Sequence, residues 1–185
     1  ATPLVHMRIV EGNMNDVPHD GKTTGEVVVR TPWLTQGYLK DPEKSDELWR
    51  GGYLHTGDIG SMDSDGYLKI TDRVKDVIKS GGEWISSLML EDIVSSHQAV
   101  SEVAAIGIPD EKWGERPMLI IVLSEDAGAG VDAESIRQHV LGFVESGAVS
   151  KWAIPERVEF VDAIAKTSVG KIDKKLLRQH VVKGG

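Results

Sequence analysis

The clearest periodicity in the chain lies between Ser86 and His97, where Leu90, Ile93, Val94 and His97 fall at i, i+3, i+4 and i+7. That spacing gathers apolar residues on one helical face, and Ser86 or Ser87 supplies an N-cap. A second helix opens at Asp132 and carries Ile136, Val140, Phe143 and Val144 on one face, with Gly147 placed to end it in the left-handed conformation. A third follows Asp173 and turns Leu176 and Leu177 inward, while residues 31–52 read as loop with a helical turn near Glu43–Leu48. Strand signals stand between these. Glu26–Arg30 is a β-branched run after the turn Asp20-Gly21, and Gly57–Ser61 returns through Tyr67–Thr71 as a hairpin with Asp65-Gly66 in the tight turn. Asp76–Lys79 is strand-like, Ser80–Glu83 a loop, Val100–Ile108 a strand closed by Pro109-Asp110, Met118–Ser124 a buried strand and Val158–Val161 a last one. Ala127–Gly130 reads as a turn.

The charged segment Asp72–Lys75 marks a boundary. Residues 1–73 have the strands and loops expected at the C-terminal edge of a larger domain, and residues 74–185 form a complete small domain. Strands and helices with short links, over about 110 residues, give an α+β class with a mixed or antiparallel sheet and flanking helices.

Composition narrows the function classes. Hydrophobic content of 40% and charged content of 27% are ordinary for a globular chain. A net charge of −8 argues against nucleic-acid binding, whose footprint is a basic face. From Lys166 to Lys183, however, five lysines and one arginine face only Asp173, which is either a solvated helix face or a phosphate-handling terminus. Cysteine is absent, which removes disulfides and thiolate chemistry and fits a reducing, cytoplasmic setting. No apolar run approaches the roughly 20 residues of a membrane span, and the opening residues have neither the n-region nor the h-region of a signal peptide, so none is expected. The chain opens in what reads as mid-domain sequence, so a fragment is expected.

Three segments carry candidate chemistry. In Lys166–Asp173, Gly170 can take backbone angles closed to other residues, so Lys171 can swing toward a charged substrate; the plainer alternative is a lysine decorating the approach to a helix. In Ser80-Gly-Gly-Glu83, paired glycines let backbone approach a ligand closely, or simply serve a turn. In Thr56-Gly57-Asp58, an acid after a glycine turn can accept ribose hydroxyls, or bond its own backbone. Other patterns fail. Gly21-Lys22-Thr23 lacks the first glycine of a phosphate loop, where Asp16 stands. Ser61, Asp63, Asp65, Gly66 and Asp72 have calcium-loop spacing with the wrong end residues and no flanking helices, so a hairpin turn is expected. The six histidines show no ligand spacing, His97 is read as core, no metal site is expected, and no Ser-His-Asp order indicates a hydrolase.

In combination, Gly25-Glu26, Gly37-Tyr38, Tyr53–Asp58, Asp63–Arg73, Lys75–Ser87, His97 through Gly107–Asp110, Gly114-Glu115, Lys151–Pro155 and Lys166–Lys171 resemble the C-terminal part of an acyl-adenylate-forming enzyme. The resemblance runs over nearly the whole chain. Lys79-Ser-Gly-Gly-Glu-Trp-Ile-Ser-Ser87 is most similar to medium- and long-chain fatty-acid:CoA ligases of that superfamily.

The resemblance implies a carboxylic acid and MgATP giving acyl-AMP and pyrophosphate, then attack by the thiol of CoA. Asp58 would hold the ribose hydroxyls, Arg73 would assist at the nucleotide, and Lys75 would be the hinge to a mobile lid. Gly81, Gly82 and Glu83 would line the pantetheine path, and Lys171 would bridge carboxylate and phosphate during adenylation. ATP, Mg2+ and CoA are thus the expected substrates, none held tightly by these residues alone, and the missing N-terminal domain is the expected partner. A ligase loading a carrier protein, or a non-catalytic truncated lid, are the rivals. Two departures are Ala165, where the family usually has proline, and Met89, where a polar residue is commoner and a helix cap could be lost.

Overall fold

Alternation and β-branching set the first seventy-odd residues into an antiparallel sheet ordered β1 (His6–Val10), β2 (Gly25–Arg30), β3 (Leu54–Met62) and β4 (Leu68–Arg73). This computed structural model describes residues 3–128 and 130–183. The chain forms two compact units, Ala1–Lys75 and Asp76–Gly185. In the first, Ile9, Val17, Val27 and Met62 make a core against which Met7 and Val29 pack. Strand β1 was not legible in the sequence; it pairs with β2 from His6↔Arg30 to Val10↔Glu26. The β3–β4 turn is closed by the Gly66 N–H on the Asp63 carbonyl, with Gly66 at φ +85°. It is a longer turn than an Asp65-Gly66 pair alone would make, because the Asp63 carboxylate also accepts from the Asp65 and Tyr67 N–H groups. Helix α1, Pro42–Leu48, is capped by Asp41.

The second unit has a five-stranded sheet: β5 (Ile78–Ser80), β6 (Glu83–Ile85), β7 (Val100–Asp110), β8 (Gly114–Leu123) and β9 (Arg157–Phe160). Its order is β6-β5-β8-β7, and β9 joins β8 in parallel. Because side chains alternate along each strand, β7 and β8 serve two cores. On one face Val103, Ala105, Leu119 and Ile121 meet Leu90, Ile93 and Val94 of α2 (Ser87–Ser95) and Ile136 and Val140 of α3 (Ala133–Glu145). On the other, Ala104, Ile106, Met118 and Ile120 meet Ile164 and Leu177 of α4 (Lys174–Lys183). The layers are helix, sheet, helix, the α+β class expected.

Differences of detail have physical causes. Ser80–Glu83 is not a loop but the bend of a hairpin, since Gly81 and Gly82 both adopt positive φ and return the chain as β6. Helix α2 stops at Ser95, so His97 is not on its apolar face; it lies half-buried in the following turn, edge-on to His139 at 5.1 Å. The cap of α2 is intact: Ser86 accepts the Met89 N–H, a bond for which the Met89 side chain is irrelevant. Gly147 ends α3 at φ +77°, with the Ala148 N–H on the Phe143 carbonyl, a Schellman arrangement. Leu177 is buried but Leu176 only half so. The turn expected at Ala127–Gly130 includes Ala129, outside the described residues.

Candidate functional site

The Thr56-Gly57-Asp58 segment is a bulge in β3. Opposite it, β2 advances only from Glu26 (paired with Ile59) to Val28 (paired with His55). Gly57 takes φ +72°, and Thr56 ties the bulge down through its hydroxyl to the Val27 carbonyl at 2.8 Å. Bulges re-aim a side chain, and here Asp58 is set beside its register partner Arg73. Their ion pair measures 3.0 Å, with 32% of Asp58 and 55% of Arg73 exposed. So open a pair contributes at most about 1 kcal/mol to stability, which leaves its carboxylate oxygens available to another donor at little cost. His55, wedged between Glu26 at 2.8 Å and the Arg50 carbonyl at 3.1 Å, braces the strand before the bulge. Lys75, exposed, is the last residue of the first unit and sits in the turn after β4.

In the second unit the two glycines of the β5–β6 turn differ. A Cβ on Gly81 would stand 2.4 Å from the Trp152 indole, whereas one on Gly82 would meet nothing within 4 Å. Gly81 therefore lies flat on an aromatic ring, and Gly82 presents bare backbone outward; Glu83 is exposed on the strand beyond. The Gly81 N–H is held by the Trp113 carbonyl at 3.1 Å. Trp113 and Trp152 pack with ring centres 4.5 Å apart and planes tilted by 57°, with Lys112 over the first ring at 4.6 Å and Lys151 and Arg116 over the second at 5.2 and 5.8 Å. Beneath the turn the Ser80 hydroxyl is buried and finds no hydrogen-bond partner among the described residues. Glu115 accepts the Lys79 N–H at 2.9 Å and packs where a side chain on Gly107 would go, so this acid braces β5.

Lys171 stands at the end of a tight loop pinned by the Lys166↔Ile172 bridge and the Thr167 N–H on the Lys171 carbonyl at 2.7 Å. Gly170 turns the chain there at φ +80°. The neighbouring lysines are neutralised, Lys166 by Glu102 at 2.8 Å and Lys174 by Glu91 at 2.7 Å. Lys171 is exposed, and no hydrogen bond or ion pair engages its ammonium among the described residues. The cationic stretch is thus mostly an anchored helix start with two open amines among the described residues, Lys171 at the glycine turn and Lys175 on the helix; the Lys183 side chain lies outside the described ones.

The structure pairs Asp58 with Arg73 in the first unit, and it puts the glycine turn and Lys171 on separate elements of the second. No group of three or more His, Asp or Glu side chains converges as a metal cluster among the described residues. No described helix is long and apolar enough to cross a membrane. Lys151 and Trp152 entered the sequence reading only within the Lys151–Pro155 segment of the resemblance, and Trp113, Lys112 and the pairing of the two rings were not singled out. Their signal was there: two of the five tryptophans, each directly following a lysine in Lys112-Trp113 and Lys151-Trp152.

A mixed sheet with two helices on one face and one on the other, an open lysine loop and a bare glycine hairpin define the second unit as a small α+β domain. Residues 89–171 match the AMP-binding enzyme C-terminal domain, and the chain belongs to the acyl-adenylate-forming superfamily. It is 43% identical to a 3-methylmercaptopropionyl-CoA ligase of Ruegeria lacuscaerulensis over 95% of this chain and 31% of that protein. It is 40% identical to a long-chain-fatty-acid–CoA ligase of Thermus thermophilus, over 96% of this chain and 32% of that one. Among solved structures, an amide bond synthetase of Marinactinospora thermotolerans superposes with a TM-score of 0.75 at 34% identity, covering 96% of this chain and 35% of the other. The chain spans about a third of the length of the curated relatives it matches.

Proposed function

We propose that these residues are the C-terminal part of an AMP-forming acid:CoA ligase whose acid is a fatty acid. Residues 1–73 would be the edge of its large domain and residues 74–185 its mobile lid. Support comes from the relatives that are CoA ligases, and one observation carries the residue roles. Among the described residues Lys171 and Lys175 have open ammonium groups while Lys166 and Lys174 are neutralised, and of the two only Lys171 stands on the glycine-turned loop, the state required of a cation that must meet charge supplied by a substrate. In adenylation Lys171 would bridge the acid's carboxylate and the phosphate of ATP, as pyrophosphate leaves. Asp58 would accept the ribose hydroxyls, with Arg73 beside the nucleotide, Lys75 as the hinge, and Mg2+ brought in with the ATP.

In the second step the CoA thiol displaces AMP from the acyl-adenylate. The side-chain-free edge at Gly82, with Gly81 and Glu83, suits the narrow pantetheine arm. The Trp113–Trp152 pair with Lys112, Lys151 and Arg116 suits the phosphorylated nucleotide at its other end.

The test uses the full-length enzyme containing this chain and a panel of carboxylic acids, with CoA and a phosphopantetheinylated carrier protein offered as acceptors. Lys171→Ala is expected to lower adenylation at least about 100-fold and to spare CoA attack on supplied acyl-adenylate. Gly82→Leu is expected to do the reverse; a Cβ there meets nothing within 4 Å, and because its φ of +85° strains any side chain, the thermal midpoint is read beside the two half-reactions to separate folding from function. Equal loss of both half-reactions in both variants would contradict the assignment.

A further inference from the structure

Helix α4 follows the Lys171 loop at once, and its two charged anchors are one helical turn apart. Lys174 and Arg178 lie at i and i+4 and so share a face, while Leu177 and Val181 hold the apolar face against the sheet. The Lys174 ammonium donates to Glu91 at 2.7 Å and to the Ser87 hydroxyl at 2.8 Å. Glu91 accepts in addition the Ala105 N–H at 2.8 Å. The Lys174 and Glu91 side chains are only 11% and 13% exposed. Arg178 reaches Asp76 at 3.0 Å, and Asp76 is the first residue of the second unit. By contrast, the tie on the other side of the loop, Lys166 to Glu102, lies open at 44% and 40% exposure.

A closed ion pair is costly to bury and gains little over apolar packing of the same volume; what it supplies is a fixed geometry. Two such ties on one face of α4 fix its rotation and its height. We infer that Lys174 and Arg178 are positioning residues, a two-point clamp that holds the Lys171 loop at a set place relative to α2 and to the start of the second unit at Asp76. The inference rests on the reading that Lys171 acts in adenylate formation. Displacing a reacting group by about 1 Å costs on the order of 100-fold in rate, so a loosened clamp acts on turnover rather than on substrate binding.

The experiment takes the full-length ligase and the acid it turns over best. Lys174→Met, Arg178→Gln and the double variant Lys174→Met/Glu91→Gln are compared with Lys171→Ala. Adenylation, thioester formation from supplied acyl-adenylate, and thermal midpoint are read for each. Lys174→Met is expected to lower kcat of adenylation by about 10–100-fold, with KM for ATP and the thioester step held within about threefold. Arg178→Gln should show the same selectivity with a smaller loss. The double variant should be no worse than Lys174→Met, because partners in one contact do not add. If Lys171→Ala still adenylates, the reading of Lys171 falls and the clamp with it. If Lys171→Ala is dead while folded Lys174→Met and Arg178→Gln adenylate at the parent rate, only the clamp is overturned; so too if both half-reactions drop together. Should Lys174→Met fail to fold, the more open Arg178→Gln decides by itself.

Discussion

The adjacent residues Gly81 and Gly82 look equivalent in sequence and are not. Both have positive φ, which strains any side-chain-bearing replacement, but only Gly81 has an indole against it. Gly81→Ala is therefore expected to cost about 2–4 kcal/mol, from backbone strain plus a displaced Trp152, against about 1 kcal/mol for Gly82→Ala. Urea titration of the 185-residue chain measures both, and equal losses would remove the indole from the account. What the sequence showed here was a glycine pair able to approach a ligand; which glycine is free depends on a tryptophan some seventy positions away, and no local pattern reports that. Asp20 is a second residue-level case. Its carboxylate accepts the Thr23 N–H, the Thr23 hydroxyl and the Lys22 N–H, which lower its pKa from 3.8 to about 2. A lowered folded-state value means the stabilisation is complete above 3.8 and drains away as pH falls toward about 2. The gap in thermal midpoint between the parent and Asp20→Asn should close across that interval. A gap unchanged from pH 6 to pH 2 would show that the turn's bonds do not depend on the charge.

At the scale of elements, legibility followed how local the determinants are. Helices α2 and α3 were readable because cap and apolar stripe lie in one continuous segment: Ser86 and Asp132 do cap them. The end of α2 was misread by two residues because His97 continues the stripe while the helix has already given way to a turn closed by the His97 N–H on the Val94 carbonyl. Strands β1 and β6 were missed for a different reason. His6–Val10 and Glu83–Ile85 are too short or too mixed to declare themselves, and they are strands because β2 and β5 lie beside them. The Asp58 bulge likewise exists only through the pairing of β3 with β2. Its glycine and acid could be read; that they stand out from a strand rather than lie in a turn could not.

For the molecule as a whole, the second unit holds its own cores on both faces of its sheet. Residues 76–185 made alone are expected to unfold in one cooperative transition, with circular dichroism and tryptophan fluorescence tracing the same curve. Separated curves would mean that this unit needs its neighbour to fold. The 185 residues together are expected to form no acyl-adenylate from ATP and any acid tried, since they span about a third of their relatives' length; pyrophosphate released in proportion to acid consumed would refute this. The order of the motifs was enough to identify the family.

The carboxylate of Glu91 has one more effect, on how copies of the protein treat each other. Strand β7, eleven residues long, ends the sheet on one side, and an open border of that length is a template on which another chain can crystallise its own backbone. With Glu91 occupying the Ala105 N–H in its middle, no continuous run of donors is left to invite such zippering. One Glu91 oxygen, Oε1, thus takes both the Lys174 ammonium and this border amide, an arrangement that disfavours joining of copies edge to edge.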